Sequence, residues 1–469
     1  MQRALEPFRI AHANGDAYTI AALLSPVAPR DDPARLYDFH RASNEHQVEP
    51  EIRSALKYTN KAKKAELTKY DELAAWTDIF VKYWRAVGAI LRAEEASNQG
   101  RLGDRHCIDV YDAWKELVNA FMKHLQDGAM PPWALIAMYF TANHLRKLAI
   151  KADEQISKTK GATTSNSVFQ DDIVSSNVPR SEKLEDTARV YNRMFALCSG
   201  DRNPDLNSSR KWGTYYVANL QFKTYFKLKN VSLSKNIVRS VEAQSDLPPF
   251  QQFPASHRVT YNYYVGVLAF LQENYERAEK CLTQAWDLCL PDSTKNQELI
   301  LTYLIPCRLI TTHNIPTQAL LSSYPRLKRI FGPLVACIKT GDLAGFDRAL
   351  VDAEDEFVKR RIYLTLERGR DVAVRNLLRK VFLAAGFEEL KEGQTEADRV
   401  RRSRIPLSHF AAALRMRTGG QANGQVIEDE EVECILANQI YKGFIKGYIS
   451  REHSMVVLNK KGAFPGTGV

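Results

Sequence analysis

The chain has 469 residues, of which 45% are hydrophobic, 26% charged and 10% aromatic. This supply of apolar residues is enough for a large core and excludes a chain that is disordered throughout. The length predicts two to three domains or one long repeat array. The 65 lysines and arginines exceed the 55 aspartates and glutamates by 10. Such a balance suits an acidic partner, either nucleic acid or protein, and it also suits a simply solvated basic face.

The sequence indicates a soluble intracellular protein with no membrane partner. Residues 1–24 have no long apolar core behind a basic head, and Glu6 and Asp16 interrupt them, so they do not resemble a secretory signal. The sequence contains no run of 18 consecutive apolar residues, so no membrane span is predicted. The seven cysteines form no CxxC pair and mostly have apolar neighbours. This pattern favours free thiols in a reducing compartment.

The first part of the chain has a helical period. The stretches Trp76–Leu91 and Trp114–Leu125 carry apolar residues three and four positions apart, which predicts helices whose aromatic residues form a core. We interpret residues 1–156 as an N-terminal helical extension of a solenoid. Residues 157–183 are rich in Ser, Thr, Asn and Asp, and this composition predicts a flexible linker loop.

Residues 184–371 predict helices that pack in pairs. In one hairpin, Gly266 on the first helix and Ala278 and Ala285 on the second are small enough to let the two helices approach closely. Their offsets are typical of tetratricopeptide repeats. Asp342 is placed to cap a further helix. This segment is therefore expected to form TPR-like helical repeats in an irregular solenoid.

Residues 372–469 predict a winged helix. Their apolar patterns indicate three helices, a short extended piece before the second helix, and two β-like runs after the third. The predicted elements are the helix 372–382, the extended piece 405–407, the helices 408–416 and 430–443, and the β-like runs 444–449 and 455–458. Acidic residues at the start of the third helix suit the helix dipole.

This organisation resembles the PCI-domain family, named for the proteasome lid, the COP9 signalosome and initiation factor three. The resemblance covers about residues 210–465 and is most specific in three stretches, which are the hairpin from Asn262 to Glu279, Leu301–Pro306 and Cys434–Ser450. These stretches look like the subgroup that holds the PCI subunit of the second transcription-and-export complex and the signalosome-subunit-twelve-like protein.

The resemblance implies a mostly all-α fold, in which a TPR-like helical-hairpin solenoid is capped by a C-terminal winged helix with a small β-hairpin. It also implies a non-catalytic scaffold of the nucleus that acts in mRNA export and docks a larger PCI-domain protein and a small acidic subunit shared with the proteasome lid. Two alternatives stay open. One is a signalosome-subunit-twelve-like subunit of a splicing or transcription-elongation complex, and the other is a purely structural subunit of a degradation assembly.

An apolar cluster near the end of the chain is the candidate partner interface. PCI–PCI pairing through winged helices requires apolar residues at its centre, where aromatic side chains contribute most of the binding energy. Internal packing of the winged helix is the alternative for about half of the set. The candidate interface residues are Tyr441, Phe444, Ile445, Tyr448 and Ile449.

Basic residues crowd in and around the predicted winged helix. Residues 321–420 hold 20 Lys and Arg against 13 Asp and Glu, which accounts for +7 of the net +10. Because such clusters suit phosphate contacts that read no sequence, we expect contact with RNA or DNA; a solvated face or an acidic-protein groove is the alternative. The candidate nucleic-acid contacts are Arg399, Arg401, Arg402, Arg404, Lys442, Lys446, Arg451, Lys460 and Lys461.

A second basic group offers a groove for the acidic partner. An acidic, largely disordered peptide could lie along these arginines and become ordered on binding. The equally good alternative is that they form ion pairs with nearby carboxylates on helix surfaces. The group comprises Arg360, Arg361, Arg368 and Arg370.

The sequence carries no signature of an enzyme. It lacks the GxxxxGK[ST] phosphate loop, GxGxxG after a strand, HExxH and GxSxG. The ten histidines are scattered, and the one adjacent pair, His106–Cys107, is more typical of a surface or a core than of catalysis. We therefore expect no catalytic residues, no metal site and no cofactor.

Overall fold

The computed structural model describes residues 1–57, 59–60, 65–66, 70–101, 103–164, 181–389, 399–417 and 427–468. The chain divides into two compact units, Met1–Tyr261 and Asn262–Val469. The boundary between them falls inside a helix and not in the predicted linker at 157–183. Within the ranges given, no helix combines the length and the apolar character that are needed to cross a bilayer.

The first unit consists of helices and one minimal β-hairpin. The helices are α1 (Glu6–Ala13), α2 (Ala17–Leu23), α3 (Arg35–Arg41), α4 (Val48–Leu56), α5 (Tyr70–Asn98), α6 (Asp104–Gln126), α7 (Leu135–Thr164), α8 (Glu182–Ser199), α9 (Thr214–Lys227), α10 (Val231–Glu242) and α11 (Ala255–Leu271), which continues into the second unit. The hairpin pairs β1 (Thr59–Asn60) with β2 (Ala65–Glu66) in antiparallel fashion.

The long helices α5, α6 and α7 pack around the aromatic residues of the periodic stretches. Trp76, Trp114 and Phe121 are fully buried, and the rings of Trp76 and Phe121 meet edge to face with centroids 6.2 Å apart. The indole Nε1 of Trp114 donates a hydrogen bond of 2.8 Å to the carbonyl of Thr141, so the buried polar atom of this side chain has a partner. These aromatic residues form the core that the sequence predicted.

Helix α7 extends further than the sequence indicated. It continues to Thr164, so residues 157–164, the first part of the predicted linker, are helical. The hydroxyl groups fit this helix because Ser157 Oγ donates to the carbonyl of Asp153 at 2.9 Å and Thr159 Oγ1 donates to the carbonyl of Gln155 at 3.2 Å. The rest of the predicted linker, 165–180, lies outside the described residues.

The second unit begins with paired helices and ends with a small sheet. After α11 come α12 (Tyr275–Leu288), α13 (Thr294–Thr311), α14 (Gln318–Ser322), α15 (Pro325–Thr340), α16 (Leu343–Asp352), α17 (Glu354–Arg360), α18 (Tyr363–Arg368), α19 (Arg370–Ala384), β3 (Arg404–Pro406), α20 (Leu407–Arg417), α21 (Asp429–Tyr441), β4 (Gly447–Ser450) and β5 (Met455–Leu458).

The close helix approach predicted at Gly266 is confirmed. A Cβ atom at this position would lie 2.7 Å from Cγ of Leu282 and 3.3 Å from its backbone nitrogen, so only glycine fits between α11 and α12 without movement. The predicted cap is also present, because Oδ1 of Asp342 accepts a hydrogen bond of 3.1 Å from the backbone N–H of Gly345. Local signals in the sequence therefore located both a helix contact and a helix start.

The last part of the second unit is a winged helix. Helix α20 packs against α19 and α21, and α20 and α21 contact an antiparallel sheet of strand order β3–β5–β4. The second β-like run, 455–458, coincides with β5, and the extended piece becomes a third strand because Ile405 pairs with Val456. Both of these residues are buried. The predicted mostly helical fold with a terminal winged helix is confirmed.

Candidate partner and nucleic-acid interface

The register of the sheet sorts its side chains onto two faces. Ile405, Val456 and Ile449 pair across the three strands, and Ile405 and Val456 are buried, so this row faces the helices. The adjacent row contains Arg404 and Tyr448, each opposite Val457. Since cross-strand partners point to the same face and neighbouring residues alternate, Arg404 and Tyr448 lie together on the outer face of the sheet.

The five candidate interface residues divide by exposure. Tyr441 is 90% exposed and Tyr448 is 62% exposed, whereas Ile445 is 1% exposed. Phe444 is half-buried, and its ring packs on that of His313 with centroids 4.6 Å apart. Ile445 is therefore a core residue of the winged helix and is not available to a partner, and Tyr441 and Tyr448 are the exposed members of the set.

The candidate arginines 399–404 follow the path of an extended arm. The backbone N–H of Glu388 donates to the carbonyl of Val400 at 2.9 Å, and that of Arg402 donates to the carbonyl of Gly386 at 3.1 Å. The guanidinium of Arg401 stacks 4.6 Å from the ring centroid of Phe387. These contacts hold the backbone of the arm in place while the side chains of Arg399, Arg402 and Arg404 stay exposed.

Three candidate lysines gather around the turn that follows β5. The backbone N–H of Lys446 donates to the carbonyl of Ala463 at 2.8 Å, and the N–H of Asn459 donates to the carbonyl of Lys446 at 2.9 Å. The N–H of Lys461 bonds to Oδ1 of Asn459 at 3.1 Å. Lys446, Lys460 and Lys461 are exposed, and we call them the lysine turn. No carboxylate among the described residues forms an ion pair with them.

The arm and the lysine turn lie at the same end of the sheet. The N–H of Leu458 donates to the carbonyl of Ser403 at 2.7 Å, so the chain enters β3 where it leaves β5. The loop between β4 and β5 is at the opposite end. Six exposed basic residues are thus collected at one end of the winged helix, and they are Arg399, Arg402, Arg404, Lys446, Lys460 and Lys461.

Two other candidate contacts already have anionic partners. Nζ of Lys442 lies 2.6 Å from Oδ2 of Asp371, and Nε of Arg451 lies 2.7 Å from Oε2 of Glu433. Surface ion pairs of this kind add little stability, but they reduce the positive potential that a phosphate would meet. These two side chains are therefore weaker candidates than the lysine turn.

The arginines of the predicted acidic-partner groove differ from one another. Arg368 binds Glu273 at 2.9 Å and Arg370 forms two hydrogen bonds with Asp347, at 2.9 and 3.1 Å. Arg368 and Arg370 therefore form ion pairs, as the alternative interpretation predicted, but their carboxylate partners are not the ones nearest in sequence. Arg360 and Arg361 form no ion pair in the part of the chain that the structure describes, so they alone stay available to an acidic peptide.

Two features of this surface have no direct signal in the sequence. Phe387 pairs with Arg401, fourteen positions further along the chain, and Met416, at the end of α20, is 75% exposed. A basic residue fourteen positions from an aromatic residue has no recognisable spacing, so this contact could be found only from the folded chain. All seven cysteines are described and are free thiols.

Comparison with known proteins assigns this architecture to a family. The PCI domain family matches residues 350–460, a range that contains α17 to β5. The protein CSN12 homolog of Neurospora crassa is 48% identical over 472 residues, which cover the whole of both chains, and that of Gibberella zeae is 46% identical over the same length. The chain belongs to the CSN12-like subgroup of the PCI-domain family.

A more distant relative lies outside the fungi. PCI domain-containing protein 2 of Xenopus laevis is 30% identical over 359 residues, which cover 76% of this chain and 79% of that protein. PCI and CSN12-like proteins are scaffold subunits of complexes and partner with other PCI proteins. The family therefore supports the expected scaffold role, and among the expected assemblies it favours the signalosome-subunit-twelve-like one.

Proposed function

We propose that this chain is the CSN12-like scaffold of a nuclear complex that acts in transcription elongation or splicing. In this complex the winged helix pairs with a larger PCI-domain protein and carries a basic end toward RNA or DNA. The observation that supports the proposal best is the outer row of the sheet, in which the exposed Tyr448 and the exposed Arg404 both stand opposite Val457.

The protein-binding part of the proposal rests on exposed aromatic residues beside a sheet edge. Strand β4 pairs with β5 on one side, and no described strand covers its other side. Exposed tyrosines next to an open edge suit a protein partner, because a buried tyrosine adds apolar contact while its hydroxyl keeps a polar partner. Tyr441 and Tyr448 are therefore the proposed centre of the contact with the larger PCI protein.

The nucleic-acid part of the proposal rests on the collected charges. Six exposed cations at one end of the sheet, without a base-reading motif, suit contacts to phosphates of either RNA or DNA. The small acidic subunit would then have Arg360 and Arg361 as its contacts. An mRNA-export complex would use the same surfaces with a different large partner, so the identity of that partner decides between the two assemblies.

The experiment is affinity purification of the tagged chain from nuclear extract, followed by mass spectrometry. We expect one larger PCI protein and one small acidic protein to copurify, with splicing or elongation factors. A Tyr441→Ala/Tyr448→Ala variant should lose the larger PCI protein. The control variant is Tyr37→Ala, which removes a tyrosine that is 53% exposed in the first unit. Retention of the large partner by the double variant would refute the proposed contact. Copurification of export factors would instead show that the chain belongs to an mRNA-export complex.

A further inference from the structure

Two parallel helices of the first unit bring a pair of cations together. Tyr139 of α7 stacks on Tyr216 of α9, with ring centroids 4.3 Å apart. Seven residues further along each helix, Nη2 of Arg146 donates to the backbone carbonyl of Lys223 at 3.0 Å. Because both helices advance by the same seven residues between the two contacts, they run side by side in the same direction, and Arg146 and Lys223 lie next to each other.

The start of helix α11 adds a histidine to this pair. The carbonyl of His257 accepts a hydrogen bond of 2.9 Å from Nδ2 of Asn219, and its ring centroid lies 5.1 Å from that of Tyr216. Arg146, Lys223 and His257 are all half-buried. We call these three residues the α7–α9–α11 cluster.

The cluster lacks an anion. No carboxylate in the described ranges forms an ion pair with Arg146 or Lys223. Nε of Arg146 and Nδ1 of His257 are buried and have no hydrogen-bond partner among the described residues. Burial, and then the charge of Arg146, lower the pKa of Lys223; burial, and then Lys223, lower the pKa of His257 to about 4. Half-buried cations without a counter-charge are costly.

Two other cations of the same unit, Lys211 and Arg210, do have carboxylate partners. Lys211 is buried, and its Nζ lies 2.6 Å from Oδ2 of Asp246. Arg210 lies 2.8 Å from Oδ1 of Asp201. In these two cases a carboxylate of the chain compensates the cation. No such carboxylate pairs with Arg146 or Lys223 in the described ranges, so an anion from outside the chain would meet two uncompensated cations here.

We propose that the α7–α9–α11 cluster binds the phosphate group of a small phosphate monoester. One guanidinium and one ammonium balance a dianion, whereas a carboxylate would leave one positive charge unpaired. The fork of Arg146 and the ammonium of Lys223 both donate to oxyanions in charge-assisted hydrogen bonds. The charge of Lys223 lowers the pKa of His257, so this ring responds to an anion that is bound beside the lysine. A phosphodiester, which carries one negative charge, fits this cluster less well, so the site differs in kind from the basic end of the winged helix.

The test is isothermal titration of the full chain with inorganic phosphate, glycerol 2-phosphate and dimethyl phosphate at low ionic strength. We expect saturable binding of the first two, with a dissociation constant of about 1 mM or tighter, and binding of dimethyl phosphate that is about tenfold weaker. Lys223→Met should weaken phosphate binding about tenfold or more. Equal binding of the monoester and the diester, or no saturable binding of phosphate, would overturn the proposal.

A matched variant and a second measurement distinguish phosphate binding at the cluster from non-specific attraction to the positively charged chain. Lys227→Met removes an exposed lysine one turn further along α9, and it should bind phosphate as the unaltered chain does. Lys223→Met should fold well, because it removes an uncompensated cation. In histidine-labelled protein, NMR titration should place the pKa of His257 higher with phosphate bound than without it. A pKa of His257 that does not respond to phosphate, or equal losses in the two lysine variants, would count against the cluster.

Discussion

Arg404 and Tyr448 both stand opposite Val457, one on each side of the central strand β5. A side chain expected to contact nucleic acid and one expected to contact a protein therefore share a single row on the outer face of the sheet. Neighbouring strands lie about 4.8 Å apart, so the two backbones are about 10 Å apart. A partner that covers Tyr448 would reach the surroundings of Arg404, and the two proposed functions would be coupled.

This coupling predicts the effect of a charge at Tyr448. We expect Tyr448→Asp to weaken the association with the larger PCI protein by about 2 kcal/mol or more, because it places a carboxylate at the centre of an apolar contact. Surface plasmon resonance on the purified pair would measure the change. Tyr18→Asp, at a tyrosine that is 74% exposed in the first unit, is the control and should bind like the unaltered chain. Equal affinity in both variants would exclude the outer row from the interface.

The ion pairs around the winged helix predict which lysines matter for nucleic acid. We expect the double variant Lys460→Gln/Lys461→Gln to lower the slope of log affinity against log salt by about 2 for duplex DNA, since each phosphate contact contributes about 0.9. Lys442→Gln/Arg451→Gln removes the same charge, but these side chains already bind Asp371 and Glu433. Its slope should change by less than about 1. Fluorescence anisotropy at several salt concentrations would measure both slopes.

A larger charge change tests the arginine arm in the same assay. The variant Arg399→Glu/Arg401→Glu/Arg402→Glu/Arg404→Glu should reduce binding by at least tenfold, because it replaces four cations by four anions near the phosphates. The comparison must include far-UV circular dichroism, because Arg401 packs on Phe387. Unchanged affinity in a folded variant would show that nucleic acid, if bound, lies elsewhere.

The sequence predicted the elements of the fold better than the composition of the surface. The period of Trp76 and Trp114, the small Gly266 and the capping Asp342 are local signals, and each corresponds to a contact in the structure. Whether a charged side chain near the surface forms an ion pair, and whether an apolar one is exposed, depends on residues far away in the chain. Lys442 pairs with Asp371 across 71 positions, and no spacing rule predicts such a pair.

The five residues of the candidate partner interface differ in exposure because contacts with distant parts of the chain decide which of them are buried. Five apolar residues between 441 and 449 form a dense run, but the alternation of the strand and the turn before it decide which ones are exposed. Ile445 lies before β4 and is buried, whereas Tyr448 is in the outer row. The register that separates the two depends on the pairing of β4 with β5, which the sequence predicted as a hairpin without fixing the facing residues.

Two glycines of the second unit provide a matched pair for stability. We expect Gly266→Val to lower the free energy of unfolding by about 1–3 kcal/mol, because its side chain overlaps Leu282 in a packed contact. Gly332, inside α15, has only Cγ of Lys328 near its Cβ position, at 3.9 Å. Gly332→Ala should therefore not lower the free energy of unfolding; alanine is used here because a branched side chain would crowd Pro333, the next residue of the helix. Calorimetric unfolding of both variants would measure the difference, and equal destabilisation would contradict the close approach at Gly266.

The stability of the first unit depends on pH through the carboxyl group of Asp201. Burial alone would raise the pKa of Asp201, but hydrogen bonds from Arg210, including one from its backbone, and from Ser209 outweigh it and lower this pKa to about 2. A carboxyl with a lowered folded-state pKa stabilises the fold above its unfolded value, and this contribution is lost as the pH falls from about 4 to about 2.

Asp201→Asn removes this titration but keeps the size of the side chain. The variant should be less stable than the unaltered chain at pH 7, and the gap should narrow steadily between pH 4 and pH 2. Urea midpoints of both proteins across this range, followed by the fluorescence of the first unit's tryptophans, would measure the gap. A gap that stays constant with pH would mean that the ionised form of Asp201 contributes nothing to the stability of the fold.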